Sequence, residues 1–168
     1  MSRFIIIETF SEKEKRETLI DMIQCYCNSM AMLVVLFSDL SDLSAVFSIV
    51  PAEYRVCRVS NEHELEQFYN MPYCDQARCS VFLVLTSMQP RIEWKMVHVT
   101  LAYNAACLLT TRTTDAGTAS IFDALFVHCC PKYVLVLAGD KDCDELRRCL
   151  PNCSMSSDGV DIVKILNP

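Results

Sequence analysis

The sequence predicts an α/β fold: a three-layer sandwich of helices around a largely parallel central sheet. The segments Met32–Phe37, Val81–Leu85 and Tyr133–Leu137 are apolar along almost their whole length. Strands of that kind are buried on both faces, which places them inside a parallel sheet. Around them, strand-like and helix-like segments alternate along the whole chain, the order that βαβ crossovers generate. With 168 residues, 52% of them apolar, and only three glycines and six prolines, the chain reads as one domain, 1–168, with a sizeable core and no linker.

Each element has a local reason. Phe4–Ile7 is an apolar strand, and Ser11 with Glu14 three residues on makes a capping-box start for the next helix. Leu19, Ile20, Met22, Ile23 and Tyr26 recur there with helical spacing. Met32–Phe37 is punctuated by Ser38, Asp39, Ser41 and Asp42, and a short helix runs to Pro51. Tyr54–Val59 alternates with period two, as an edge strand does. Asn61 caps an acidic helix to Tyr69, and 72–78 is a loop. After the strand Val81–Leu85, Gln89–Trp94 starts a helix or turn. Alternation from Val97 to Tyr103 favours a strand, and Ala102–Leu109 a helix. Thr110–Thr114 is a polar break, and Asp115–Val127 carries an apolar helical face. Tyr133–Leu137 is the last central strand. Asp144–Leu150 reads as a short helix, Pro151–Gly159 as a loop and Val160–Leu166 as the final strand.

Composition excludes several classes. A net charge of −6 removes any whole-surface attraction to nucleic acid or anionic membrane, so contact with phosphates requires a local basic patch. No apolar run approaches the roughly 18 residues of a membrane span. The N-terminus lacks a signal-length apolar region, which predicts an intracellular protein, cytoplasmic or nuclear. Eleven cysteines are an odd number in a chain that can build a core without them. They read as mostly reduced thiols.

The most informative stretch follows Leu137. Gly139 turns the chain, and four acids then fall within six residues: Asp140, Asp142, Asp144 and Glu145. Asp39 and Asp42 follow the strand ending at Phe37 in the same way, and Asp115 opens a segment upstream of Tyr133. If the two strands are neighbours, their acids converge and would hold Mg²⁺ or Mn²⁺ through oxygen ligands. Asp and Ser after strands are equally ordinary as helix caps and turn residues. Cys25 and Cys27, Cys74 and Cys79, and His128–Cys130 with Cys143, Cys149 and Cys153 lack paired zinc knuckles. His63, His98 and His128 are the only histidines, and no nucleophile elbow or glycine-rich phosphate loop is present. Basic residues Arg91, Lys95, Arg112, Lys132, Lys141, Arg147 and Arg148 gather in the second half. They form either a local phosphate contact or solvated helix faces.

Thr114–Leu125, with Asp115 near its start and Asp123-Ala-Leu at its end, followed by Tyr133–Asp142, resembles the second half of NYN domains. These are ribonuclease-type members of the PIN-like superfamily. Leu36–Leu43, with Asp39, resembles that family's first motif. The similarity covers about Asp115–Val160 and a short piece at Asp39. It implies a PIN-like, Rossmannoid fold and a Mg²⁺- or Mn²⁺-dependent ribonuclease acting on single-stranded RNA. Asp39, Asp115, Asp140 and Asp142 would then be catalytic metal ligands. In the proposed chemistry the metal activates water against a phosphodiester, while Arg91, Lys95 or Lys141 holds the backbone. The departures are specific. Asp42 stands where the motif has Asn, and Cys143 where it has an aromatic residue. Alignment through Asp123 puts Gly117, not Asp115, in the helix-acid position, and an alternative register uses Glu8 after the first strand. A second reading therefore stays open: a non-catalytic α/β module of the same fold that binds a protein partner or its own copy.

Overall fold

A computed structural model describes residues 3–71, 79–94, 97–109, 111–114, 117–120, 131–149 and 154–155. The chain opens with β1 (Arg3–Glu8), α1 (Glu12–Cys27), β2 (Leu33–Phe37), α2 (Leu40–Ile49), β3 (Val56–Val59) and α3 (Glu62–Asn70). It continues through β4 (Val81–Leu85), a 3₁₀ turn (Gln89–Arg91), β5 (Val99–Ala102) and α4 (Ala106–Leu109). A hairpin, β6 (Thr111–Thr114) and β7 (Gly117–Ser120), precedes β8 (Tyr133–Ala138), α5 (Asp140–Cys149) and β9 (Ser154–Met155).

The main sheet has seven strands in the order β3-β4-β2-β5-β8-β1-β9. Every adjacent pair is parallel, for example Ile5 opposite Leu135, Val35 opposite Leu83 and Leu101 opposite Leu135. Period-two alternation divides each strand between two cores. Ile5, Ile7, Val35 and Leu137 pack with Leu19, Ile23 and Tyr26 of α1 and Leu43 and Val46 of α2. Ile6, Val34, Phe82 and Val136 pack with Leu65 of α3, Leu108 of α4 and Leu146 of α5. Helices thus cover both faces, which is why the central strands are apolar at consecutive positions. β2 is buried at all five residues, Leu33 to Phe37. At about 1.5–3 kcal/mol for each fully buried large aliphatic or aromatic side chain, this sheet is the main stabilising feature.

The helix starts follow the sequence. Ser11 Oγ accepts from Glu14 N at 3.1 Å, and Glu14 reaches back to Phe10 N at 2.9 Å. Asn61 Oδ1 accepts from Glu64 N at 2.9 Å. In the second core, Trp94 is 8% exposed and lies 5.1 Å from the Phe82 ring centroid and 5.8 Å from that of Phe68. Its Nε1 donates to Gln89 Oε1 at 3.0 Å. Tyr69 Oη donates to the Arg91 carbonyl, and these contacts seat the 89–94 segment on α3.

Three expectations change. The helix read from Asp115 is a strand over Gly117–Ser120, paired antiparallel with Thr111–Thr114. Its partner strand carries three β-branched residues, Thr111, Thr113 and Thr114, and pairing with it won over the helical periodicity. α5 starts at Asp140, not Asp144, so Asp140 and Asp142 occupy its first turn, where acids oppose the positive helix end. Ser154–Met155, expected in a loop, pairs with Ile5 and Ile6 of β1. The loop 72–78, positions 121–127 of the expected helix and the strand Val160–Leu166 lie outside the described residues.

Among the described residues Cys25, Cys27, Cys57, Cys79, Cys107 and Cys143 are free thiols. Burial pushes the Cys57 thiol up to about 12, and the nearby Cys79 and Glu64 add to it. Such a thiol packs as a small apolar group and is a poor nucleophile.

Thr100 is fully buried in β5, between Val34 of β2 and Val134 of β8, and its hydroxyl is unpartnered. A buried hydroxyl without a hydrogen bond costs about 1–3 kcal/mol. Thr100→Val is expected to raise stability by about 1 kcal/mol, read as a higher urea midpoint at unchanged slope. A lower midpoint means that the hydroxyl is bonded in solution.

Candidate functional site

All strands of a parallel sheet leave at the same edge, and open α/β sheets bind ligands there. In this chain that carboxyl edge carries Glu8 at the end of β1 and Thr9 after it, Ser38 and Asp39 after β2, Asn104 after β5, and Gly139 and Asp140 after β8. β1 leads into α1 on one face, whereas its neighbour β8 leads into α5 on the other. The chain therefore switches direction between β1 and β8, and does so again between β2 and β5.

At the first switch, the carboxyl groups of Glu8 and Asp140 share a hydrogen bond. That bond raises the Glu8 pKa above its ordinary 4.5, with desolvation and the Asp140 charge acting the same way and Arg147 opposing them. Asp142 is exposed two residues further into α5, and its N–H donates to the Gly139 carbonyl at 3.0 Å. Cys143 is buried beneath them, and its thiol is raised first by desolvation and then by Glu8. Lys141 is exposed on the same turn.

At the second switch lies a polar network that sequence reasoning did not find. Lys15 of α1 donates to Asn104 Oδ1 at 2.5 Å, and Asn104 Nδ2 donates to Asp42 of α2 at 3.1 Å. Lys15 also pairs with Glu12 at 3.5 Å and is only 12% exposed. Tyr103 Oη donates to Glu12 at 3.3 Å, and its pKa is pushed up to about 12, chiefly by burial. The only sequence signal was an asparagine directly after an alternating strand. The network ties α1, α2 and the end of β5 together at the edge.

The acids expected to converge are placed apart. β5 lies between β2 and β8, so Asp39 and Asp140 stand two strand spacings from each other, about 10 Å. Asp39 is the N-cap of α2, where Oδ1 accepts from Ser41 N at 2.7 Å and Ser41 Oγ at 2.8 Å. Those bonds, the hydroxyl first, hold its carboxyl below the ordinary range. Asp140 is instead brought to Glu8, the residue of the alternative register. Arg91 pairs with Glu62 of α3. His63 is exposed on α3 beside Gln67, and His98 stacks between Tyr26 and Tyr133. Asp115, Lys95, Cys74, His128, Cys129, Cys130 and Cys153 lie outside the described residues. Among the described residues no group of three or more His, Cys, Asp or Glu is placed to hold a metal ion. Of the four acids read as ligands, Asp39 thus stands apart from Asp140 and Asp142, and Asp115 is outside the described residues. No described helix is long and apolar enough to cross a membrane.

A scan of the sequence against protein-family models gives no match, and neither does a search of curated proteins. Solved structures do match. S. cerevisiae Dbp5 bound to RNA and ADP BeF3 superposes with a TM-score of 0.70 at 10% identity, over 99% of this chain and 44% of that one. The isolated C-terminal domain of the DEAD-box protein Dbp5 gives 0.65 at 11% identity, over 99% and 97%. The C-terminal domain of an S. cerevisiae Dbp5 variant bound to Gle1 and IP6 gives 0.62 at 10% identity, over the whole of both chains.

The chain shares its fold with the C-terminal domain of Dbp5. This corrects the NYN/PIN resemblance and removes the ribonuclease function that rested on it. The matching motifs, an apolar strand followed by Asp, are what any parallel sheet with acid-capped helices repeats. The chain spans under half the length of the RNA-bound Dbp5 that it matches.

Two outcomes test this geometry. Asn104→Ala leaves Lys15 and Asp42 without their shared partner, and stability is expected to fall by about 1–3 kcal/mol in chemical denaturation; a neutral result means that water replaces the amide. Glu8 has a raised folded pKa, so the folded state binds its proton more tightly than the unfolded one. Its contribution is present below the ordinary value of 4.5 and is lost as pH rises through the raised value. Asp140→Asn is expected to flatten that decline and to lower the Glu8 titration in carboxyl-detected NMR. An unchanged Glu8 midpoint breaks the pairing.

Proposed function

We infer that the chain is one RecA-like half of a helicase-type, RNA-engaging protein. It corresponds to the C-terminal half and does not carry the hydrolytic centre by itself. The observation that supports this is the near-complete mutual coverage with the isolated Dbp5 C-terminal domain, 99% and 97%, against 44% of the RNA- and ADP BeF3-bound chain. A two-domain helicase needs both halves, and this chain supplies one. Its three glycines, Gly117, Gly139 and Gly159, form no glycine-rich loop of the kind that cradles nucleotide phosphates.

The charges along the carboxyl edge limit how this half would hold RNA. Lys15, Arg58 and Arg91 are already paired with Glu12, Glu64 and Glu62. Lys141 is exposed but stands among Asp140, Asp142 and Asp144. Few phosphates would be neutralised, so binding by this chain alone would be weak and shallow in its salt dependence. For single strands the slope is about −0.7 per phosphate contact.

The test is fluorescence anisotropy of a single-stranded RNA at two salt concentrations. One or two phosphate contacts predict a log–log slope of about −1, reduced in Lys141→Ala without any change in base preference. Binding absent at low salt, or present and insensitive to salt, counts against the reading. A second reading is favoured by the same acidic edge: a protein partner with a basic surface, to which the edge is complementary in charge. RNA-independent capture of a basic protein, weakened by salt, would support it.

A further inference from the structure

The turn between β1 and α1 holds an aromatic side chain in solvent. Phe10 is 77% exposed and directly precedes Ser11, the N-cap of α1. In a helix that opens with a capping box, an apolar residue at this position ordinarily packs on the residue five further along. Here that residue is Lys15, whose ammonium is drawn to Asn104 and Glu12, so the ring finds no apolar seat on the first turn. The backbone beneath it is fixed all the same. Thr9 N–H donates to the Ala138 carbonyl at 2.9 Å, and Phe10 N–H donates to the Glu14 carboxylate at 2.9 Å.

Among the described residues, Phe47 and Tyr69 are also exposed, at 37% and 51%. Phe47 lies two turns into α2 with the Arg58 guanidinium 4.7 Å from its ring centroid. Tyr69 is tied through its hydroxyl to the Arg91 carbonyl, near the end of α3 that leads to the amino edge of the sheet. Phe10 alone of the three stands at the carboxyl edge, where open α/β sheets bind ligands. The charges there neutralise few phosphates, so an RNA held at this edge needs a second source of binding. The face of a base supplies one. It carries no net charge, so Glu8 and Glu12 do not repel it as they repel phosphate, and every base has such a face. We propose that Phe10 is a stacking platform for one base of a single-stranded RNA lying along the carboxyl edge. This contact presupposes that the chain engages RNA, and it supplies affinity that the charges of the edge do not.

The test uses the full chain and a short single-stranded RNA that carries 2-aminopurine and a terminal dye. Anisotropy of the dye reads affinity, and 2-aminopurine emission reads stacking. The wild-type chain is expected to quench the fluorescent base on binding, and to bind oligo(U) and oligo(A) alike. Phe10→Ala and Phe10→Leu are each expected to bind about tenfold more weakly and to lose the quenching. Phe10→Trp is expected to keep both, which neither a merely apolar contact nor a misfolded variant can imitate. Unchanged affinity and quenching in Phe10→Leu overturns the stacking role and leaves RNA engagement standing. A wild-type chain that binds no RNA overturns both.

Discussion

The structure rests on a sheet sealed on both faces. Because α1 and α2 cover one side and α3, α4 and α5 the other, the middle of each central strand must be apolar in both directions. That requirement uses up the chain's apolar residues in short runs and leaves polar chemistry only at the strand ends. The functional geometry follows. Glu8, Asp39, Asn104 and Asp140 are all first residues beyond a strand or close to it. Where a polar group does enter the middle, as at Thr100, it stands without a partner.

The same constraint decides what could be read in advance. β2, β4 and β8 were legible because burial on both faces leaves an unbroken apolar run, and α1 because Ser11 and Glu14 mark its start. The hairpin was not legible. Thr111–Thr114 is polar and Gly117–Ser120 small, so neither carries the apolar signature of the main sheet. α5 was placed late because four acids in six residues look like a loop. In three dimensions the first two are stabilised at the helix N-terminus.

Strand order was the decisive missing quantity. Asp39 and Asp140 read as a pair only if β2 and β8 touch, and nothing local reports that β5 separates them. The Lys15–Asn104 contact spans 89 positions, so its members have no shared pattern in the chain. Short motif similarity failed for a related reason. An acid after an apolar strand expresses how a helix is capped after a parallel strand, and it recurs in folds of different function. By contrast, the overall fold is shared with Dbp5 at 10% identity, because a fold depends on burial pattern more than on residue identity.

Trp94 is the only tryptophan in the chain, and it sits wholly within the core on the α3 side, against Phe68 and Phe82. The opposite core holds Tyr26 and Tyr103 instead. The two halves of the interior, divided by one sheet, thus carry different optical reporters. Indole emission senses one layer and tyrosine absorbance chiefly the other. The chain contains its own means of asking whether its two cores loosen together or in turn.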